Sequence, residues 1–321
     1  MIPDRPPLAT GALDRDAVTR MDPQRLREAW SEPGARLLRV RGLEIPVHRE
    51  SGSLRLALLP VSGEYALAGP GSGSARHLYL GRSDGRPVFA VADGESAGEA
   101  ACSDGPAGAG AKGPDDEEWR HPFEVGGDLS DTERELVAVA SALLRWHETA
   151  VFSPGDGLAT APEHGGWARR DSRGGELFPR TDPAVIVLIE HRDRVLLGSN
   201  ALWEAGRFSL LAGFVEAGES LEQAVVREVF EESGARLGEI EYVTSQPWPF
   251  PRSLMVGFRA RLADGADPED LRPDPEEISE LHWFARAELR PPAPGITLPM
   301  PLSIARWMID RWIDEGDADA E

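Results

Sequence analysis

Gly213-Phe214-Val215-Glu216-Ala217-Gly218-Glu219 runs directly into Ser220-Leu221-Glu222-Gln223-Ala224-Val225-Val226-Arg227-Glu228-Val229-Phe230-Glu231-Glu232-Ser233-Gly234, and the reading of this stretch decides the fold. Ser220 is a helix-capping residue type. The interior from Leu221 to Glu232 contains neither Gly nor Pro, and Gly234 stands where a left-handed cap would end the helix. Glu228 and Glu232 are four apart and project from one face, with Glu231 one turn from Glu228 on a neighbouring line. Like charges so placed repel by roughly a few tenths of a kcal/mol per pair on an exposed helix. A solvated acidic face is the ordinary explanation of such a run. A hard divalent cation is the other: Mg²⁺ takes oxygen ligands, one or two of them carboxylates, and completes its shell from a substrate phosphate. Arg227 can pair with Glu231 at i+4 or reach back to Glu219, and either contact would hold the carboxylates in place.

The full spacing, G-x5-E-x7-R-E-V-x-E-E-x-G, resembles the motif of the Nudix hydrolases at every charged and glycine position. The apolar residue expected after the last glycine is Ala235, small but able to pack. A second array, Ser245-Gln246-Pro247-Trp248-Pro249-Phe250-Pro251-Arg252-Ser253, has prolines at alternate positions. These predict an extended backbone that presents Gln246, Trp248, Phe250 and Ser253 in set directions at low entropic cost. The array resembles the specificity motif of the NADH pyrophosphatase branch of the Nudix family. The likeness continues through Phe178-Pro179-Arg180-Thr181-Asp182-Pro183 upstream and Ser303-Ile304-Ala305-Arg306 downstream.

The resemblance implies an α-β-α sandwich of the α+β class. It implies hydrolysis of the pyrophosphate of NADH or NAD to nicotinamide mononucleotide and AMP, and extends to removal of NAD caps from RNA 5′ ends. Metal ligands would be Glu228, Glu231 and Glu232, the backbone carbonyl of Ala212, and a distal acid six residues before a tryptophan, here Glu277 before Trp283. The ions would be Mg²⁺ or Mn²⁺. Arg227 joins these acids in the catalytic set, and Glu231 is the expected acceptor of the attacking water's proton, with Glu232 and Glu277 as alternatives. Substrate contacts would come from Gln246, Pro247, Trp248, Pro249, Phe250, Pro251, Arg252, Ser253 and Ala305, with Phe178 and Phe214 as stacking rings. Phe178 stands where tyrosine is common, so a hydroxyl contact is lost. The family also implies a cytoplasmic homodimer. Two other readings fit the same residues: a Nudix diphosphatase for another nucleotide such as ADP-ribose, and a non-catalytic NAD(H) sensor.

Outside these motifs the chain supplies context. Its 321 residues are 41% hydrophobic and 28% charged, as expected of roughly two globular domains. Fifty-five acids against 34 Lys and Arg give a net charge of −21, which opposes broad binding to nucleic-acid backbones. No apolar run approaches the ~20 residues of a membrane helix, and the start has no apolar core of signal-peptide length. A β-rich amino-terminal domain is expected over residues 1–128, a linking helix and ribbon segment over 129–180, and the hydrolase domain over 181–321. In the first of these, Leu78-Tyr79-Leu80 and Val88-Phe89-Ala90-Val91 flank Asp84-Gly85, a hairpin signal. Residues 94–118 are Gly, Ala, Ser, Pro and acid, read as a mobile surface insertion with Cys102 as a bystander. Ser130 and Glu133 form a capping-box pair ahead of a helix running to about His147. Ala184 to Ile189 reads as a buried strand, Arg194 to Leu197 and Met255 to Leu262 as further strands, and Ser303 as the cap of a last helix through Trp312.

The family commonly carries a four-cysteine zinc ribbon. Here Ser153 and Asp156 occupy the first pair of positions, and Arg170 with Arg173, or Asp171 with Gly174, the second. With no thiol in either register, no zinc is expected. Asp156 is expected to pair with Arg170 or Arg173 in place of the metal cross-link. Gly94-Glu95-Ser96-Ala97-Gly98 matches a nucleophile elbow but no helix can follow it, and Gly69, Gly71 and Gly73 lack a dinucleotide-binding context. Both are discounted.

Overall fold

The computed structural model describes residues 3–68, 75–93 and 116–318. Residues 94–115 of the Gly/Ala-rich insertion, Cys102 and both discounted glycine motifs lie outside the described residues. The end of that stretch is not a mobile insertion, since Asp116 accepts from Arg49 N, Glu117 pairs with Arg39 and Glu118 begins a strand. The chain divides into two compact units, Thr10–Arg180 with Pro249–Arg252, and Met1–Ala9 with Thr181–Trp248 and Ser253–Glu321.

The first unit contains α1 (Ala17–Arg20), α2 (Pro23–Trp30), β1 (Arg36–Val40), β2 (Ile45–Glu50), β3 (Ser53–Leu56), β4 (Leu59–Pro60), β5 (Leu78–Ser83) and β6 (Arg86–Ala92). β7 (Glu118–Arg120), α3 (Pro122–Val125), α4 (Asp131–Thr149), β8 (Ala161–Glu163), β9 (Ala168–Arg170) and β10 (Glu176–Leu177) follow. Strands order as β4-β1-β6-β5, β3-β2-β7 and β10-β9-β8. The β5–β6 hairpin turns at Asp84 (φ 49) and Gly85 (φ 74), the two positive dihedrals its tight turn requires. α4 begins with the expected reciprocal cap, Ser130 Oγ accepting from Glu133 N and the Glu133 carboxylate accepting from Ser130 N at 3.0 Å. It runs to Thr149 and buries Leu136, Val137, Ala140, Leu143 and Leu144 in the unit's core.

The mostly-β reading of this region overlooked α2. Asp22 caps it through Gln24 N and Arg25 N, and Pro23 opens its first turn. Its apolar side is only Leu26, Ala29 and Trp30, too short a stripe for a periodic signal, and it is stabilised by packing on Tyr79 and Phe89. His77 stacks on Trp30 at 4.3 Å, and burial pulls its pKa down to about 4.

In the segment expected to be the ribbon, side-chain oxygens accept from nearby backbone N–H groups. Ser153 Oγ accepts from Gly155 N (3.2 Å), Asp156 Oδ1 from Leu158 N (3.0 Å), and Asp171 Oδ1 from Arg173 N (2.9 Å) and Gly175 N (2.7 Å). Each closes a short side-chain-to-backbone turn. Asp156 bridges the two halves of the ribbon chiefly through Ser172 Oγ at 2.9 Å, with Arg173 Nε at 3.6 Å. Arg170 instead pairs with Glu163, so the expected cross-link forms with Arg173 and not Arg170. The residue sequence reasoning missed is Arg169. It is fully buried, donating to Thr160 Oγ1 (2.6 Å), Thr160 O (2.9 Å) and His147 Nδ1 (2.8 Å). Because a guanidinium only donates, His147 is neutral with its proton on Nε2, facing Gly166 O at 2.8 Å. Burial holds that imidazole at a pKa of about 4. The last turn of α4 is thereby tied to the ribbon. Replacing Asp156 by Ala is expected to lower the melting temperature measurably; a variant melting with the parent would show that the Asp156 link holds nothing.

The second unit is one mixed sheet between helices. Its elements are β11 (Asp182–His191), β12 (Arg194–Asn200), β13 (Leu211–Phe214), α5 (Leu221–Ser233), β14 (Leu237–Trp248), β15 (Ser253–Leu262), β16 (Ile278–Ala285), α6 (Arg286–Leu289) and α7 (Ile304–Ala318). The strand order is β14-β15-β11-β12-β16, with β13 against the first half of β11. β11 is apolar on both faces because both are covered. Val185, Val187 and Ile189 pack with Ala224, Val225 and Val229 of α5, while Ile186 and Leu188 pack with Trp307, Met308 and Trp312 of α7. Each such buried aliphatic side chain contributes roughly 1.5–3 kcal/mol, so α5 is anchored along its whole length. The short α6 was not foreseen. Buried Glu190 ties the layers, accepting from Arg259 Nε (2.5 Å) and Nη2 (2.8 Å) and from Trp312 Nε1 (2.5 Å).

Candidate active site

α5 carries the acids, and its ends are fixed as its sequence dictates. Ser220 Oγ accepts from Gln223 N (3.2 Å), Gln223 Oε1 accepts from Ser220 N (2.8 Å), and Gly234 closes the helix at φ 71. Arg227 makes both of the contacts open to it. Its Nε and Nη2 meet the two Glu219 oxygens at 2.8 Å each, Nη2 also reaches Phe214 O (2.9 Å), and Nη1 reaches Glu228 (2.9 Å) and Glu231 (3.0 Å). Glu219 in turn accepts from Glu216 N at 3.0 Å. Arg227 and that N–H hold the Glu219 carboxyl down at about 2. One guanidinium thus pins the loop before the helix and aligns two acids on it.

Glu228 lies against the backbone of Gly213, so closely that a Cβ there would sit 2.0 Å from the Glu228 carboxyl carbon. Burial raises its pKa, opposed by Arg227. Glu232 is buried at 7% exposure and its Oε2 has no hydrogen-bond partner. Burial, then Glu228, Glu277 and Glu231, push its pKa up to about 8 against a backbone bond from Ala212. Glu277 is exposed on the turn after Asp274, its carbonyl accepting from Ala201 N at 2.8 Å, and its charge acts on both Glu228 and Glu232. Ala212 pairs with Ile186 in the β13–β11 ladder. No three of these four acids offer oxygens within 4.8 Å of one another. Even so, all-oxygen donors and an unsatisfied buried carboxylate oxygen fit a hard divalent cation.

A pH dependence follows. A carboxyl held at about 8 in the fold against 4.5 unfolded keeps a proton that the unfolded chain releases. Stability of the cation-free protein therefore falls as pH rises between those values. Calorimetry in chelator is expected to show the melting temperature declining from pH 5 to pH 8, and added Mn²⁺ to raise it more at pH 8.

Among the described residues a different set, Glu163, His164 and Glu176, does bring its ligand atoms within 4.8 Å. Arg170 already serves it, with Nη2 at 2.6 Å from Glu163 and 3.7 Å from Glu176. It is an ion-pair cluster on the ribbon.

The proline array is not one extended run. Gln246, Pro247 and Trp248 end β14, Trp248 pairs with Ser253, and 249–252 form the hairpin turn between them. The prolines rigidify a strand end and a tip, so the side chains do not all project from one line. Phe250 meets Phe123 edge-on at 5.0 Å. Phe214 and Phe178 are exposed, as stacking rings would be, each on its own unit. Gln246 and Ala305 are buried. Sequence reasoning passed over Leu202 and Trp203, exposed in the loop whose Ala201 N–H holds Glu277; Arg207 lies 4.9 Å over the Trp203 ring. A large aromatic in a polar loop, Trp203, was the available signal.

The family model for the NUDIX domain matches residues 179–301. The chain carries a NUDIX domain. Its mixed sheet between α5 and α7 is the Nudix fold, with a β-rich region before it. The NUDIX-bearing part is 47% identical over 200 residues to the NAD-capped RNA hydrolase NudC of Mycobacterium bovis, an alignment covering 59% of this chain and 63% of that protein. It is 37% identical over 201 residues to the human NAD-capped RNA hydrolase NUDT12, covering 58% and 43%. The chain thus spans less than two thirds of the length of the curated relatives it matches. A NUDIX hydrolase structure from Nitrosomonas europaea aligns at TM-score 0.42 and 24% identity, covering 52% of this chain and 92% of that one. No helix among the described residues is long and apolar enough to cross a membrane.

Proposed function

We propose that the protein is a divalent-metal-dependent hydrolase of the pyrophosphate bond of NADH and NAD, releasing AMP and the nicotinamide mononucleotide, and that it also removes NAD caps from RNA. The observation that carries this reading is the buried, unpartnered Oε2 of Glu232 among Glu228, Glu231 and Glu277, on a helix braced by Arg227. Glu228, Glu231, Glu232, Glu277 and the Ala212 carbonyl would hold Mg²⁺ or Mn²⁺. Bound there, such a cation would offset the charge of the diphosphate and make the attacking water more acidic. The chain's own residues do the rest. Glu231, exposed and aligned by Arg227, accepts the proton as the water oxygen bonds to phosphorus and the bridging P–O bond breaks. Phe214 stacks on the nicotinamide, and Pro247, Trp248 and Ser253 of the same unit receive the rest of the dinucleotide. The ribbon works without zinc, and the enzyme is a cytoplasmic homodimer.

Turnover of NADH, NAD, ADP-ribose and NAD-capped RNA, measured side by side with Mg²⁺ or Mn²⁺, tests the substrate. AMP release from NADH exceeding hydrolysis of ADP-ribose is expected. The reverse order would make the protein an ADP-ribose diphosphatase, and tight NADH binding without AMP would make it a sensor.

A further inference from the structure

Gln246 stands in the array that resembles a substrate-recognition motif, yet its side chain is fully buried and committed. Nε2 donates to Leu302 O at 2.9 Å and to Pro7 O at 2.6 Å, and Oε1 accepts from Ile304 N at 2.8 Å. Both donors of the amide are used and face protein carbonyls. The partners matter. Ile304 opens α7, and its N–H is one of the first-turn donors a helix cannot satisfy internally. Leu302 lies two residues earlier, so one amide grips the chain on both sides of Ser303. Ser303 Oγ meanwhile accepts from Arg306 N at 3.2 Å. Ala305 sits between these two capped donors. The third partner brings in the amino-terminal segment, which Trp307 also holds through Nε1 to Pro3 O at 2.8 Å.

We infer that Gln246 is a positioning residue: it clamps the first turn of α7, and with it Ala305, to β14 and to the segment around Pro7, and it does not touch the dinucleotide. This rests on the proposed reading, in which Ala305 contacts substrate.

Two full-length variants separate a clamp from a contact. Gln246→Met keeps the bulk and removes all three hydrogen bonds. Gln246→Glu keeps the acceptor for Ile304 N and, when protonated in its buried setting, one donor. A clamp predicts faster amide exchange at 303–306 in Gln246→Met, with KM for NADH up ~10-fold and kcat falling less. It also predicts that Gln246→Glu recovers most of both. A direct contact predicts unchanged exchange, and a Glu variant worse than Met because a carboxylate repels the diphosphate; either result overturns the inference. Should Gln246→Met not fold, exchange in Gln246→Glu decides: parent-like protection below neutral pH that is lost on raising it upholds the clamp, and pH-independent protection overturns it. If the parent releases no AMP while exchange follows the predicted order, the clamp stands and the proposed function falls.

Discussion

Glu232→Gln is expected to lose Mg²⁺-dependent release of AMP from NADH by at least ~1000-fold, a barrier increase of about 4 kcal/mol, while the cation-free protein becomes more stable at pH 8. Both effects have one origin. Burial and three neighbouring acids raise this carboxyl to about 8, so the unfolded chain gives up its proton more readily and stability is lost as pH rises from 4.5 to about 8. Gln has nearly the same shape, can keep the bond from Ala212 through its amide oxygen, and carries no charge to repel Glu228. It also offers a cation a neutral oxygen where an anion stood. A residue kept only for structure would not couple loss of activity to gain of stability. Kinetics beside calorimetry in chelator would show it. A variant that is both active and destabilised would contradict the assignment.

Gly213→Ala is expected to cut activity ~100-fold, the scale on which a displacement of about 1 Å acts in a catalytic site. Gly213 pairs with Val185 in the β13–β11 ladder, so its backbone cannot easily retreat. The added methyl would lie 2.0 Å from the Glu228 carboxyl carbon and about as close to both its oxygens, so the side chain must swing away from the other acids. The effect should fall on kcat and on the Mn²⁺ concentration needed for half activity. Unchanged values of both would mean that Glu228 does not work from the position it occupies against Gly213.

The parts of the site legible in the sequence are those whose partners are near in the chain. Ser220 and Gly234 are local caps, and Arg227 reaches Glu219 and Glu231 eight and four residues away. Helical spacing puts Glu231 beside Arg227, and Glu219 lies in the loop directly before the helix cap. β11 was legible for a similar reason, since only a strand covered on both faces needs six consecutive apolar residues. What stayed hidden depends on distant partners. Gln246 takes its role from Pro7, 239 residues away, and from Leu302 and Ile304. As a polar residue in a proline-rich stretch it reads as a surface contact. Arg169 likewise looks like one of several exposed bases until Thr160 and His147 close around it. Asp156 was legible as an acid between bases, but Ser172, its shorter contact, bears no charge to mark it.

The central claim is that the acids of α5, with Glu277, form a cation site that serves diphosphate cleavage. Anomalous scattering from a Mn²⁺-soaked crystal tests it most directly. The account predicts a peak contacted by Glu228, Glu232 and the Ala212 carbonyl; a manganese-saturated crystal with no peak there, or with manganese only at Glu163 and Glu176, would contradict it.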